Sequence, residues 1–192
     1  MYEPRTYRSH IKDRDLVSFN AVFRETDLYI RAQSNLQQLA LQSIIKHRTP
    51  LEKYISENPL FHHTLKPYEP SWDAPPIVKE MASAAKVAGV GPMAAVAGAI
   101  AEAVGKDLMS YSPQVIVENG GDIFIETSVP RLVGIYAGEA SPFTGKLALE
   151  IMPEDTPLGI CTSSATVGPS LSFGNADAVI VLSASTTLAD AA

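Results

Sequence analysis

The stretch VENGGDIF, from Val117 to Phe124, places an Asn-Gly pair between two short apolar runs. Asn-Gly is the strongest short-range signal for a two-residue hairpin turn, because both central residues of a type I′ turn need a positive φ. Strands joined by so short a turn must be antiparallel. The stretch therefore predicts a hairpin, and it indicates a sheet that is mainly antiparallel.

The residues of this turn are also candidates for binding. Gly120 and Gly121 expose backbone N–H groups that suit phosphate or carbonyl oxygens, and Asp122 can bind a hydroxyl, an amide or a metal. Asn119 begins the same turn. From these residues alone a turn without any ligand remains the simpler interpretation.

Strand-like segments continue on both sides of the hairpin, separated by short turns rather than by helices. They are expected at residues 18–23, 28–32, 114–118, 123–127, 132–137, 146–151, 159–162 and 178–183. This spacing favours an antiparallel sheet over repeated βαβ units. The fold class is α+β, with helices packed on one face of a mainly antiparallel sheet.

Four helices are predicted between the second and third strands. Helix-start signals at Ser34 and at Thr49-Pro50 predict two consecutive helices, the second ending near Asn58. Two more are expected at residues 77–88 and 93–104, with Gly105 as the C-cap of the last. Residues 59–76 carry too many prolines for regular structure.

Composition limits the function. The 192 residues are 46% hydrophobic and 19% charged, which fits one domain, here a hairpin with helices (1–110) followed by a β-rich half (111–192). A net charge of -6 without a basic stripe argues against nucleic-acid binding. The charged N-terminus and the Ala/Gly-rich run at 87–104 argue against export and membrane insertion, so we expect a cytoplasmic protein.

A second glycine-rich turn, Gly89-Val90-Gly91-Pro92-Met93-Ala94, formally matches G-x-G-x-x-A. The dinucleotide fingerprint needs a strand before it, and the residues before this turn are helical, so that interpretation is rejected. Two alternatives stay open: an anion site at the following helix N-terminus, or a tight connection between helices.

Hydroxyl groups cluster after the run that ends at Cys161, in Thr162, Ser163, Ser164 and Thr166. They can donate hydrogen bonds to a ligand or satisfy their own backbone. Cys161 is expected to be a core residue rather than a nucleophile. The pair at residues 62–63, two adjacent histidines, supplies no zinc ligand set.

Several segments together resemble the FAD:protein FMN transferase (ApbE) superfamily, and most closely its short ApbE-like branch. They are ETDLYIRA at 25–32, GVGPMAAVAGAIAEAVG at 89–105, VIVENGGDIF at 115–124, VGIYAG at 133–138, GICTSS at 159–164, SLSFGNADAVIVLS at 170–183 and LADAA at 188–192. The resemblance implies a T-fold-related architecture and a small-molecule ligand, FAD or FMN.

The resemblance also assigns residues to a site. It places the following residues around the flavin: Gly91, Met93, Ala94, Asn119, Gly120, Gly121, Asp122, Thr162, Ser163 and Ser164. The family's magnesium ligands match Asp190, in Ala189-Asp190-Ala191, and the backbone carbonyl of Ala94. A Mg²⁺ ion bridging a carboxylate and a pyrophosphate suits the transfer of FMN with AMP as the leaving group.

The chain also departs from the family pattern. Ala95 stands where the transferases carry a lysine, and no H-x-x-D-P segment is present. Ala165 and Pro169 stand where the short branch is expected to have a glycine and a histidine. The threonine expected to complete the metal site would follow Ala192, so either the chain continues or that ligand is absent.

We therefore expect a protein that binds a flavin or a related nucleotide-like anion, with weak or absent FMN transfer. The alternatives are an active Mg²⁺-dependent FAD:protein FMN transferase and an accessory protein of anaerobic sulfur or cofactor metabolism. An apolar helix face with small residues is compatible with a homodimer.

Overall fold

A six-stranded sheet forms the centre of the computed structural model, which describes residues 15–138, 141, 143–144, 146–166 and 172–192. Every pair of neighbours in this sheet is antiparallel. In spatial order the strands are β1 (Val17–Phe23), β2 (Thr26–Ala32), β3 (Val115–Asn119), β4 (Asp122–Glu126), β7 (Leu158–Ser163) and β8 (Val179–Ser183). The predicted α+β class with an antiparallel sheet is confirmed.

Helices cover one face of the sheet. They are α1 (Gln37–Glu57), α2 (Pro59–His63), α3 (Pro76–Ala88), α4 (Val96–Leu108) and α5 (Thr186–Ala191). Val115, Val117 and Phe124 point to this side and join Ile44, Met81, Ile100 and other helix residues in the larger hydrophobic core. Successive side chains of a strand point to opposite faces of the sheet, so every second residue joins this core.

The opposite face packs against a small two-stranded sheet, β5 (Arg131–Gly134) and β6 (Ala148–Ile151). Ile116, Ile125 and Ile160 form a second core there with Ile151. The predicted strands at 132–137 and 146–151 exist in shorter form. They form this separate layer because the central sheet runs directly from β4 to β7.

The two predicted N-terminal helices are one helix. Pro50 lies inside α1, and neither Ser34 nor Thr49 caps a helix; the Asn35 side chain accepts the amide of Gln37 instead. Ile44 and Leu51 are buried on both sides of the proline. Burial of one continuous apolar face outweighs the cost of a proline within the helix.

Helix α4 also differs from its prediction. A 3-10 turn, Pro92–Ala95, precedes it, and the helix continues past Gly105 to Leu108. Gly105 packs against the ring of Phe124, where an added Cβ would come within 2.1 Å of a ring carbon. This glycine therefore serves close packing and is not a C-cap.

Two helices were not predicted, the short α2 in the proline-rich segment and α5 near the end of the sequence. Pro59 occupies the first turn of α2, where a proline is tolerated. Ser185 caps α5 through its side chain, which accepts the amide of Leu188. The expectation at Pro169 lies outside the described residues.

Among the described residues, no single helix is long and apolar enough to cross a membrane. Residues Pro76–Ala88 and Pro92–Leu108 reach that length only as a pair, bent by 107°.

Candidate functional site

The β3–β4 turn is tied to the start of α4. Asn119 and Asp122 form the last strand pair, and Gly120 and Gly121 have φ values of 69° and 108°. The side-chain amide of Asn119 donates to the backbone carbonyl of Ala97 at 3.0 Å. The predicted hairpin is therefore present, but its two central residues are Gly120 and Gly121 instead of Asn119 and Gly120. The N–H of Gly121 donates to Glu118 Oε1 at 2.9 Å and is not open to an anion as predicted. The turn brings Asp122 close to the first turn of α4.

Asp122 is half-buried, and its carboxyl group is shielded from solvent. Burial raises the pKa of its carboxyl group to about 7, even though hydrogen bonds with the Cys161 thiol and the Thr162 backbone favour the charged form. The nearby charge of Glu118 raises the pKa further. Asp122 is therefore a carboxylate whose negative charge the protein itself does not fully offset.

Asp190 reaches the same region from α5. Its carboxylate accepts a hydrogen bond from the backbone amide of Gly98 at 2.7 Å. Burial and the charge of Asp122 raise its pKa well above the usual value, against the opposing effect of the Gly98 and Ala97 amides. The charge of Asp122 acts on Asp190, and both carboxylates act on the Cys161 thiol, so the two carboxylates belong to one region of the structure.

Cys161 lies beside both carboxylates. It is buried, as predicted, and burial together with Asp122 and Asp190 raises the pKa of its thiol. Its sulfur is 3.5 Å from the backbone carbonyl of Thr186. The thiol is therefore neutral, and its contact with Asp122 gives it a place in the site that its isolated position in the sequence does not indicate.

Two glycines outside the predicted ligand-binding residues allow α5 to approach the sheet and α4. A Cβ on Gly98 would come within 2.5 Å of the Thr186 carbonyl oxygen and 2.6 Å of Asp190 Cβ. A Cβ on Gly159, in β7, would come within 2.3 Å of Thr186 Cα. Both glycines therefore make room for the backbone of α5.

The GVGPMA turn is less directly involved. Gly91 is buried under the carbonyl of Thr64, where an added Cβ would come within 1.9 Å of the oxygen, so its lack of a side chain serves packing. Met93 is half-buried against the larger core, while Ala94 is exposed. Both lie in the 3-10 turn that leads into the first turn of α4.

The predicted hydroxyl residues at the end of β7 do not all lie at the same site. Thr162 reaches Asp122 through its backbone. Ser163 is exposed, and Ser164 Oγ accepts the backbone amide of Thr166 at 3.1 Å, as in a local turn. Of the three predicted residues, Thr162 has a contact with the carboxylate pair.

A divalent cation fits the ligands at this site. Magnesium is usually held by one or two carboxylates, with water and substrate phosphates completing the shell. Asp122 and Asp190 supply two carboxylates, and the described residues contain no group of three or more His, Cys, Asp or Glu that could form an all-protein cage. Two carboxylates are the number of protein ligands that a magnesium site commonly uses.

A separate pocket of about 370 Å³ lies between α3, α4 and α5. None of the residues predicted from the sequence lines it. Its walls are Glu80, Ser83, Ala84, Val87, Glu102, Lys106, Ser185, Thr187 and Leu188. The carboxylate pair and this pocket are thus two distinct features, joined through α5.

Comparison with solved structures shows the fold. The crystal structure of the Pseudomonas stutzeri flavinyl transferase ApbE in its apo form superposes with a TM-score of 0.60 at 14% identity, covering 92% of this chain and 81% of that one. The flavin transferase ApbE from Vibrio cholerae gives a TM-score of 0.50 at 15% identity, with 92% and 84% covered.

Sequence comparison shows the family. A UPF0280 protein of Methanocella arvoryzae is 51% identical over 170 residues, which are 88% of this chain and 69% of that protein. A UPF0280 protein of Methanococcus vannielii is 45% identical over 182 residues, or 93% and 73%. The family model described as AbpE bacteria matches residues 8–192. The chain therefore belongs to this family, an ApbE-like branch that has the fold of the flavin transferases.

Proposed function

We propose that this protein binds a flavin or a related nucleotide-like anion through Mg²⁺ held by Asp122 and Asp190, and that FMN transfer is weak or absent. The observation that carries the proposal is the placement of two carboxylates beside the first turn of α4: Gly98 donates to Asp190, and Asn119 joins the turn that carries Asp122 to Ala97. The family's fold, shared with flavin transferases, supports a flavin as the ligand.

Charge explains why the proposal includes a cation. Two carboxylates repel an anionic ligand, and the raised pKa values show that their charges are poorly compensated within the protein. The Gly98 amide, at the start of α4, is already occupied by Asp190. A phosphate therefore cannot use that amide, and the Gly121 amide is likewise taken by Glu118. A divalent cation between the carboxylates and the ligand would supply the attraction.

The protein's own groups would orient the cation and the ligand. The Gly98 and Ala97 amides orient the carboxylate of Asp190, whose remaining lone pairs would bind the metal. The Thr162 backbone and the Cys161 thiol restrict Asp122 in the same way. When bound, Mg²⁺ would neutralise the charge of a pyrophosphate. Asn119 would hold the Gly120-Gly121 turn against α4, and the carbonyl of Ala94 would be the further metal ligand.

The proposal of weak transfer is supported by Ala95. The transferases that this chain resembles carry a lysine at the matching position, whereas Ala95 is fully buried in the larger core. Loss of one electrostatic contributor typically lowers the rate about a hundredfold or more. Binding depends on fewer groups than transfer does, so it can persist without that lysine.

The first experiment measures flavin binding with and without the metal. We expect FAD and FMN fluorescence to change saturably with the purified protein in Mg²⁺, and to stop changing when EDTA is added. Asp190→Asn should abolish the fluorescence change. Asp155→Asn is the control, because Asp155 has no contact with the site described above, and it should leave the fluorescence change intact. Absence of saturable flavin binding in Mg²⁺ contradicts the proposal.

The second experiment separates binding from transfer. Incubation with FAD and Mg²⁺ should release little AMP over hours. Rapid AMP release that Asp190→Asn abolishes would establish the alternative, an active Mg²⁺-dependent FMN transferase, which the carboxylate pair also favours.

A further inference from the structure

Helix α5, which carries Asp190, is attached to α4 at two points. The first is the bond from the Gly98 amide to Asp190. The second is Glu102, whose Oε2 accepts the Thr187 amide at 2.8 Å, the Thr187 hydroxyl at 2.9 Å and the Ser185 hydroxyl at 3.2 Å. One carboxylate oxygen of Glu102 therefore accepts three hydrogen bonds from the N-terminus of α5.

The geometry of the two attachments restricts α5. Gly98 and Glu102 are one turn apart on α4, and Thr187 and Asp190 are one turn apart on α5. Two attachments in matching register prevent α5 from sliding or rotating against α4. A helix of six residues has almost no stability of its own, so these contacts determine where Asp190 lies.

Glu102 is suited to this task. Its side chain is 7% exposed, and Lys106 donates to its other oxygen, Oε1, at 2.7 Å. Burial opposes its charged form, but the bonds from Lys106 and Thr187 hold its pKa below the usual value. The acceptor is therefore charged at neutral pH, and hydrogen bonds to a charged acceptor are the stronger kind.

We propose that Glu102 is a positioning residue for the cation site, acting through α5 on Asp190. The inference rests on the proposed function only for its consequence on metal affinity. Residues that orient metal ligands typically change metal affinity about tenfold to a hundredfold when they are replaced. The two attachments of α5 predict a change of this size in metal affinity when Glu102 is replaced, although Glu102 would not contact the metal.

Asp107 provides a matched control on the same helix. It is also a carboxylate that joins α4 to another helix, since it accepts from Ser43 Oγ at 2.7 Å, Lys46 Nζ at 2.8 Å and His47 Nε2 at 3.0 Å. These partners all belong to α1. Asp107→Asn should therefore destabilise the fold without altering α5.

The first readout does not need the metal. The backbone amide of Gly98 reports the bond to Asp190 by NMR, through its chemical shift and its rate of hydrogen exchange. We expect Glu102→Gln to shift this signal and to speed its exchange at least tenfold relative to Asp107→Asn. An unchanged Gly98 signal, or an equal change in both variants, overturns the inference.

The second readout is the affinity for Mn²⁺, a paramagnetic substitute for Mg²⁺, titrated by electron paramagnetic resonance. Glu102→Gln should weaken Mn²⁺ binding about tenfold or more, while Asp107→Asn stays within about twofold. Equal affinities in the two variants contradict the inference. If the unaltered protein binds no Mn²⁺, the proposed function fails, and the Gly98 signal still decides the role of Glu102.

A second pair of variants covers the case in which Glu102→Gln does not fold. Thr187→Ser keeps the hydroxyl that donates to Glu102, and Thr187→Val removes it. The serine variant should retain the Gly98 signal and the Mn²⁺ affinity, while the valine variant should lose part of both. Identical behaviour of the two variants overturns the inference.

Discussion

Gly98→Ala is the substitution that most directly tests the contact between α4 and α5. Its Cβ would lie 2.5 Å from the Thr186 carbonyl oxygen and 2.6 Å from Asp190 Cβ, whereas ordinary contacts begin at 3.4 Å. Helix α5 would have to retreat by about 0.9 Å, which is the difference between 3.4 and 2.5 Å. The Gly98–Asp190 hydrogen bond, now 2.7 Å long, would then be lost or weakened.

The magnitude follows from three contributions. Overpacking of a filled contact costs about 1–3 kcal/mol. Loss of a hydrogen bond to a charged group costs about 1.5–3 kcal/mol. The replacement of glycine by alanine within a helix returns about 1 kcal/mol. We therefore expect a net loss of about 1.5–5 kcal/mol, or roughly 3–20 °C in Tm for a chain of this size.

The assay is urea denaturation at pH 7 followed by circular dichroism, together with Mn²⁺ titration. Gly105→Ala is the control, because this position shares the helix and the gain in propensity, but its Cβ would meet the Phe124 ring instead of α5. It should lose stability with unchanged Mn²⁺ affinity. If Gly98→Ala is as stable as the unaltered protein, or binds Mn²⁺ equally well, the close approach of α5 is not as described.

Three further outcomes are expected. The raised pKa of Asp122 means that its favourable contribution is complete below the usual value of 3.8 and is lost as the pH rises through about 7. We therefore expect the free energy of unfolding of the unaltered protein, measured by urea titration in EDTA, to fall by roughly 2–4 kcal/mol more between pH 5 and pH 8 than that of Asp122→Asn. An equal pH dependence of the two proteins contradicts the burial of Asp122. Asp15→Asn removes the carboxylate that pairs with the buried Arg131 and should cost about 1–3 kcal/mol in the same measurement, more than an exposed ion pair would. Asn119→Ala removes the bond to the Ala97 carbonyl and should lower the free energy of unfolding by about 1 kcal/mol and weaken Mn²⁺ binding; an unaffected Mn²⁺ affinity would separate the turn from the site.

Local signals determined much of the fold. The two-residue turn after Asn119 requires positive φ values, which Gly120 and Gly121 adopt, and alternating apolar residues mark the strands, so an antiparallel sheet could be predicted from short stretches. The C-terminal end of α3 could also be predicted from local sequence, because Gly89 adopts the left-handed conformation that ends a helix.

The errors occur where burial outweighs a local preference. Pro50 lies inside a helix because Ile44 and Leu51 share one buried face, and Gly105 continues a helix because the Phe124 ring lies against it. Helix α5 has too few residues for a periodic pattern. Its position depends on bonds to α4 from residues more than eighty positions away, which no local pattern contains.

The candidate site divides in the same way. The sequence by itself determined the family resemblance and pointed to the turn at Asn119–Asp122, to Thr162 and to Asp190. Only the tertiary structure decided that Asp122, Cys161 and Asp190 meet, that Gly98 and Gly159 make room for α5, and that Gly91 serves packing. The physical reason is that the charge of a carboxylate and the space around a glycine depend on groups brought together by folding, whereas the conformation of a turn depends on its own residues.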